Sequence, residues 1–190
     1  MEGGEKSTNL YFVRHAHSIY TPDEWERPLS EKGYIDAERI LALIQPDSID
    51  VVVSSPYKRA VQTVEGVAEY FNREIEIFED LKERTLTGKP AEDFTEAITK
   101  VWEDPNFAWE GGESNIAAQA RGVKVIHHLL EKYEGKNVAI GTHGNIMVLI
   151  MNYFDKRYDF SFWNGLDMPD IYKLTFDGDV LVGVSRLWER

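Results

Sequence analysis

Three short apolar runs, each ending abruptly in polar residues, constrain the fold of this chain more than any other feature. The runs are residues 10–13, 49–53 and 138–141. The first is followed by Arg14-His15, the second by Ser54-Ser55-Pro56-Tyr57-Lys58-Arg59 and the third by Thr142-His143-Gly144. Runs of this length, rich in β-branched and aromatic residues, are typical of buried parallel strands. Because ligands bind beyond the carboxyl ends of such strands, we expect these polar residues to meet at one edge of a parallel sheet.

The side chains expected at that edge are two guanidiniums and two imidazoles, from Arg14, His15, Arg59 and His143. Arginine binds phosphate oxygens bidentately, and a helix that begins close to Arg59 would add positive potential at its N-terminus. The sequence therefore predicts a phosphate pocket.

The rest of the chain predicts helices between and after these strands. Ser30 and Ser55 are the predicted N-caps of two helices, the second of which holds Arg59 in its first turn. The further predicted elements are a third strand over 74–78, helices over 91–102, 113–133 and 145–154, and a hairpin of 171–176 and 180–187. The predicted core face of the helix over 113–133 consists of Ile116, Ala120, Val123, His127 and Leu130.

Composition limits the class of protein. At 190 residues the chain is predicted to be one domain, with 1–9 as a polar lead-in. Since 33 acidic residues outnumber 21 basic ones, the net charge of −12 disfavours nucleic acid and anionic membranes as partners. The absence of cysteine excludes disulfides, thiolate metal sites and cysteine-phosphatase chemistry. No membrane-spanning or signal segment is recognisable, so a cytoplasmic location is predicted, while the oligomeric state is left open.

These residues allow phosphoryl transfer without a metal or cofactor. A neutral imidazole can attack phosphorus, and His15 is the candidate nucleophile because it directly follows Arg14 at a strand end. Arg14 and Arg59 would neutralise the non-bridging oxygens, and His143 would donate a further hydrogen bond if it were protonated. Glu83 is the best placed carboxyl to protonate the leaving alkoxide.

Five segments resemble the histidine phosphatase superfamily, in its phosphoglycerate mutase-like branch. They are 14–18, 54–63, 81–83, 111–114 and 142–144, and the resemblance extends from Leu10 to about Phe176. It implies a three-layer α/β/α sandwich, in which helices cover both faces of a mostly parallel sheet. It also implies His15 as the phosphorylated residue, Arg14, Arg59 and His143 as the phosphate pocket, and Glu83 as the proton donor.

The prediction is a metal-independent phosphatase of a small phosphorylated metabolite that works through phospho-His15. Ser18, Thr21 and Asn145 are added as predicted substrate-binding residues. One alternative is a phosphoglycerate mutase-type phosphotransferase. Another is a catalytically weak module that binds a phospho-ligand or a protein, because Ala16 and His17 replace the family's Gly and Glu or Gln. A metal site at the His-x-His pair is a further, less favoured alternative.

Overall fold

The computed structural model describes residues 7–190. Six strands and six α-helices follow one another along the chain. They are β1 (Thr8–Arg14), α1 (Glu31–Ile44), β2 (Val51–Ser54), α2 (Lys58–Tyr70), β3 (Ile75–Ile77), α3 (Phe94–Glu103), α4 (Asn115–Lys132), β4 (Asn137–Thr142), α5 (Gly144–Phe154), α6 (Phe160–Asn164), β5 (Asp170–Asp177) and β6 (Val180–Arg186).

All six strands belong to one sheet, in the order β3-β2-β4-β1-β5-β6. The first four in this order are parallel, whereas β5 runs antiparallel to β1 and β6 antiparallel to β5. Arg14 pairs with Thr142, and Ser54 pairs with Gly141. The carboxyl ends of β1, β2 and β4 therefore lie side by side, which brings together the residues that follow each strand.

Alternating side chains of β1 contribute to two hydrophobic cores on opposite faces of the sheet. Leu10 and Phe12 pack with α4 and α5, whereas Tyr11 and Val13 pack with α1 and α2. This alternation follows from the two-residue period of a strand. The arrangement confirms the predicted three-layer sandwich with a mostly parallel sheet.

Of the two predicted N-cap serines, one caps its helix and the other does not. Ser30 is the N-cap of α1 as predicted, and its hydroxyl accepts from the backbone N–H of Gly33. The prediction that Ser55 caps α2 is wrong, because the N-cap is Tyr57 and Ser55 lies two residues earlier. Arg59 still lies in the first turn of α2, as predicted.

The predicted core face of α4 is right only in part, because Val123 and Leu130 are buried as expected. Ile116, Ala120 and His127 are exposed, and the buried residues of α4 include Ala118, Ile126 and Leu129. Two apolar stripes compete in this sequence, and packing against α5 selects the one that includes Gly122, where a side chain would collide with Ile150.

The predicted lead-in at 1–9 falls partly on residues 1–6, which lie outside the described residues. Thr8 and Asn9 belong to β1 rather than to a lead-in. Within residues 7–190, no helix is both long and apolar enough to cross a membrane.

Candidate active site

His15 lies directly beyond the carboxyl end of β1, where its backbone N–H donates to the carbonyl of Thr142 at 3.0 Å. Its Nδ1 lies 2.7 Å from the carbonyl oxygen of Ala16. Because a carbonyl can only accept, Nδ1 carries the proton and Nε2 holds the free lone pair. Burial, with the charge of Arg59 next, lowers the pKa of His15 to about 3. At neutral pH the ring is therefore an uncharged imidazole with an unprotonated Nε2.

Arg14 lies over the N-terminus of α5. Its Nη1 donates to the carbonyl of Asp167 at 3.1 Å, while its buried Nε has no partner among residues 7–190. A Cβ at position 144 would lie 2.6 Å from this Nε, so Gly144 is required for the guanidinium to approach. Burial lowers the pKa of Arg14 from its ordinary value. Arg14 thus offers an unused donor where helix α5 begins, an environment that favours anions.

Arg59 is buried in the first turn of α2 and contacts Glu24 twice. Its Nη1 donates to the carbonyl oxygen of Glu24 at 2.7 Å, and its Nη2 donates to the carboxylate at 2.9 Å. The guanidinium also lies 4.7 Å from the centre of the Tyr57 ring. Glu24 belongs to the loop over 19–28, and its side chain is 45% exposed. A carboxylate on this loop therefore occupies donors that a phosphate would need.

We expect Glu24→Gln to tighten the binding of inorganic phosphate or orthovanadate about two- to fivefold. The amide competes less well than the carboxylate for Arg59 and adds no negative charge against an incoming anion. The inhibition constants of both variants measure the effect. Glu26→Gln, on the same loop without an ion pair to Arg59, should leave them unchanged. Unchanged or weaker inhibition of Glu24→Gln would contradict the competition.

His143 is fully buried beyond the end of β4. Its Nε2 lies 2.8 Å from the hydroxyl oxygen of Ser55, and its Nδ1 has no partner among the described residues. The ring centre is 5.2 Å from that of His15 and 5.1 Å from that of Tyr57. Burial, together with His15 and Arg59, holds the pKa of His143 well below its ordinary value. This shift favours the neutral ring, which has one N–H, whereas the sequence-based expectation was donation from a protonated ring.

Glu83 reaches the same region from the segment after β3. Its Oε1 accepts from the backbone N–H groups of Arg84 and Ile146, each at 2.8 Å. Its Oε2 accepts from the N–H of Asn145 at 3.0 Å. The carboxyl group is thus fixed against the N-terminus of α5, and Oε2, with a single hydrogen bond, retains a position for a proton.

Two arginines that sequence reasoning missed hold the Glu83 segment in place. Arg121 on α4 binds the carboxylate of Glu113 and donates to the carbonyls of Asp80, Lys82 and Glu83. The buried Arg84 donates to the side chains of Asn115 and Asn145 and to the carbonyl of Glu113. No local pattern signals these contacts, because all the pairs except Arg121 with Glu113, which are 8 positions apart, lie 29 to 61 positions apart.

The three added substrate-binding candidates are placed differently. Asn145 is buried, and its Oδ1 accepts from Arg84 while its amide nitrogen has no partner within residues 7–190. Ser18 forms a β-bridge with Leu29, and the hydroxyl of Thr21 donates to a carbonyl within its own loop. The structure brings Arg14, His15, Arg59, Glu83 and His143 together, whereas contact with substrate stays a prediction for these three.

His17 does not extend this cluster. It is exposed, and its Nδ1 lies 2.7 Å from the hydroxyl of Ser30 at the start of α1. Within residues 7–190, no group of three or more His, Asp or Glu side chains is arranged to hold a metal ion. The geometry therefore offers no support for the His-x-His alternative.

A cleft of about 710 Å³ is bordered by Glu83 and by Glu24 and Tyr57, the two residues that contact Arg59. Its lining combines aromatic and charged side chains, and it includes Tyr20, Glu24, Arg27, Tyr57, Glu83, Lys89 and Phe94. None of the five tryptophans lines it. The cleft is large enough for the organic part of a small ester.

A family model described as the histidine phosphatase superfamily (branch 1) matches residues 10–186. The chain belongs to this superfamily. Membership confirms the predicted family and the prediction of a histidine phosphatase, a phosphoric monoester hydrolase.

Related proteins carry phosphatase names. The chain is 26% identical over 147 residues to phosphoserine phosphatase 1 of Hydrogenobacter thermophilus, covering 70% of each protein. Its fold is similar to that of Entamoeba histolytica phosphoserine phosphatase, solved with 3-phosphoglyceric acid, at a TM-score of 0.79, 19% identity and coverage of 96% and 98%. A mycobacterial glucosyl-3-phosphoglycerate phosphatase gives a TM-score of 0.77, 19% identity and coverage of 96% and 99%.

Proposed function

We propose that this protein hydrolyses a small phosphomonoester through a phosphohistidine at His15, without a metal ion. The observation that carries the proposal is the free Nε2 of a neutral His15, whose ring lies close enough to the guanidiniums of Arg59 and Arg14 for both charges to lower its pKa. A neutral imidazole nucleophile and fixed positive charge are the two requirements of this chemistry.

In the first step, Nε2 of His15 attacks phosphorus and the bond from phosphorus to the ester oxygen breaks. Glu83 transfers a proton to the departing alkoxide, while the arginines and the N–H of His143 stabilise the three equatorial oxygens. In the second step, Glu83 takes a proton from water, which attacks the phosphohistidine. The bond between nitrogen and phosphorus breaks, and free His15 and inorganic phosphate are regenerated.

The cleft supports a substrate class with a second charged group. Arg27 and Lys89 lie in its lining and would attract a carboxylate beyond the phosphate. The names of the relatives, phosphoserine phosphatase and glucosyl-3-phosphoglycerate phosphatase, point to substrates that carry such a group. O-phosphoserine and 3-phosphoglycerate are therefore the first substrates to assay. The cytoplasmic location and the exclusion of nucleic acid stay predictions from the sequence.

The proposal predicts turnover of p-nitrophenyl phosphate that is equal with and without EDTA. The site residues supply the positive charge that a metal would otherwise provide, so removing divalent ions should change the rate less than about twofold. Release of nitrophenol and phosphate measures it. Loss of activity in EDTA would overturn metal independence. Binding without turnover would favour the weak phospho-ligand module, and rapid exchange of phosphate between phosphoglycerates would favour the mutase.

A further inference from the structure

Ser55 is a buried residue beside the site that the mechanism above does not use. It lies between β2 and α2, with no exposed surface. Its backbone N–H donates to the carbonyl of Gly141 at 2.8 Å, which fixes it against β4. Its hydroxyl oxygen accepts from the backbone N–H of Tyr57 at 3.1 Å and lies 2.8 Å from Nε2 of His143.

The hydroxyl proton of Ser55 has one acceptor within residues 7–190, which is Nε2 of His143. If Nε2 itself carried a proton, the hydroxyl proton would have no acceptor among the described residues, and neither Ser55 nor His143 has surface exposed to solvent. An unsatisfied buried donor is costly, so the arrangement in which Ser55 donates is favoured. Nε2 of His143 then accepts and carries no hydrogen.

The proton of the neutral His143 ring must consequently lie on Nδ1. This is the nitrogen that is buried and lacks a partner among the described residues. The ring lies 5.2 Å from His15 and is influenced by the charges of both Arg14 and Arg59, so it borders the same pocket. A lone pair on Nδ1 would repel a phosphate oxygen, whereas an N–H there would bind it.

We infer that Ser55 is a positioning residue that fixes the tautomer of His143, so that Nδ1 presents an N–H to the transferring phosphoryl group. The inference deepens the proposed function, because it assumes that phosphate binds beside His15. Ser55 itself touches no reacting atom. The hydrogen bond from its hydroxyl determines whether Nδ1 of His143 binds a phosphate oxygen through an N–H or repels it through a lone pair.

Nitrogen-15 NMR of the imidazole rings tests the inference directly in the wild-type protein. The chain has five histidines, and the His143→Gln variant identifies the signal of this ring. At pH 7.5 without ligand, we expect a protonated Nδ1 and an unprotonated Nε2. A protonated Nε2, alone or in a doubly protonated ring, would overturn the inference. This readout is independent of turnover, so absence of phosphatase activity would count against the proposed function alone.

A pair of serine variants tests the consequence. Ser55→Ala should shift His143 towards the Nε2-protonated form and raise the inhibition constant of orthovanadate about ten- to a hundredfold. Ser55→Thr, which keeps the hydroxyl, should restore the wild-type tautomer. Ser54→Ala is the matched control, since Ser54 is equally buried but donates to the carbonyl of Ser55. An unchanged His143 tautomer in Ser55→Ala, or equal effects of the two alanine variants, would overturn the role of Ser55.

Discussion

Replacing His15 with alanine should abolish turnover of every phosphomonoester, lowering kcat by about 10⁴-fold or more. The remaining groups can bind phosphate, but none of them replaces the free Nε2 of His15, since Nε2 of His143 is hydrogen-bonded to Ser55. Steady-state rates with p-nitrophenyl phosphate and O-phosphoserine measure the loss. Binding of orthovanadate, measured by calorimetry, should persist, because Arg14 and Arg59 are unchanged.

His17→Ala is the matched control for this loss. His17 is two residues away, exposed and bonded to Ser30, so its removal should affect the start of α1 and leave kcat within about twofold of wild type. A His15→Ala variant that retained more than a few per cent of the wild-type rate would rule out His15 as the nucleophile.

Glu83→Gln should separate good from poor leaving groups. With O-phosphoserine, whose alkoxide needs a proton, kcat should fall about 10²- to 10⁴-fold. With p-nitrophenyl phosphate the loss should be much smaller, because nitrophenolate leaves without one. In Glu83→Gln, an amide nitrogen in place of Oε1 or Oε2 would lie against a backbone N–H donor and disturb the site. That disturbance should affect both substrates equally. The ratio of the two losses therefore isolates the contribution of the proton.

Glu79→Gln provides the control for Glu83→Gln. Its carboxylate lies in the same segment, is 68% exposed and pairs with Lys82 at 3.5 Å. Neither substrate should be affected by more than about twofold, because exposed ion pairs contribute little. Equal losses of both substrates in Glu83→Gln would contradict its role as the acid.

The convergence of the site was predictable because it follows from strand direction. Arg14, His15 and His143 each follow an apolar run, and parallel pairing of β1 with β4 places their strand ends side by side. Residues at the carboxyl ends of neighbouring strands share an edge whatever the loops between them do. The three-layer fold was implied by the family resemblance, and it agrees with the buried parallel strands, which require helices on both faces.

The contacts between distant residues were not predictable from local patterns. The position of the Glu24 carboxylate on Arg59 depends on the path of the loop over 19–28, which has no period in sequence. The donation of Arg121 to three carbonyls depends on how α4 packs, and the core face of that helix was predicted correctly only in part. Tertiary packing decides such contacts, whereas spacing along the chain carries no signal for them.

Trapping the covalent intermediate tests the central claim most directly. Wild-type protein mixed with a phosphorus-32-labelled phosphomonoester and quenched with alkali within milliseconds should carry a label that is stable in base and lost in acid, as a phosphohistidine is. Peptide mapping should place that label on His15 alone, and His15→Ala should carry none. A phosphatase that turns over without any labelled protein, or whose label lies on another residue, would contradict the account.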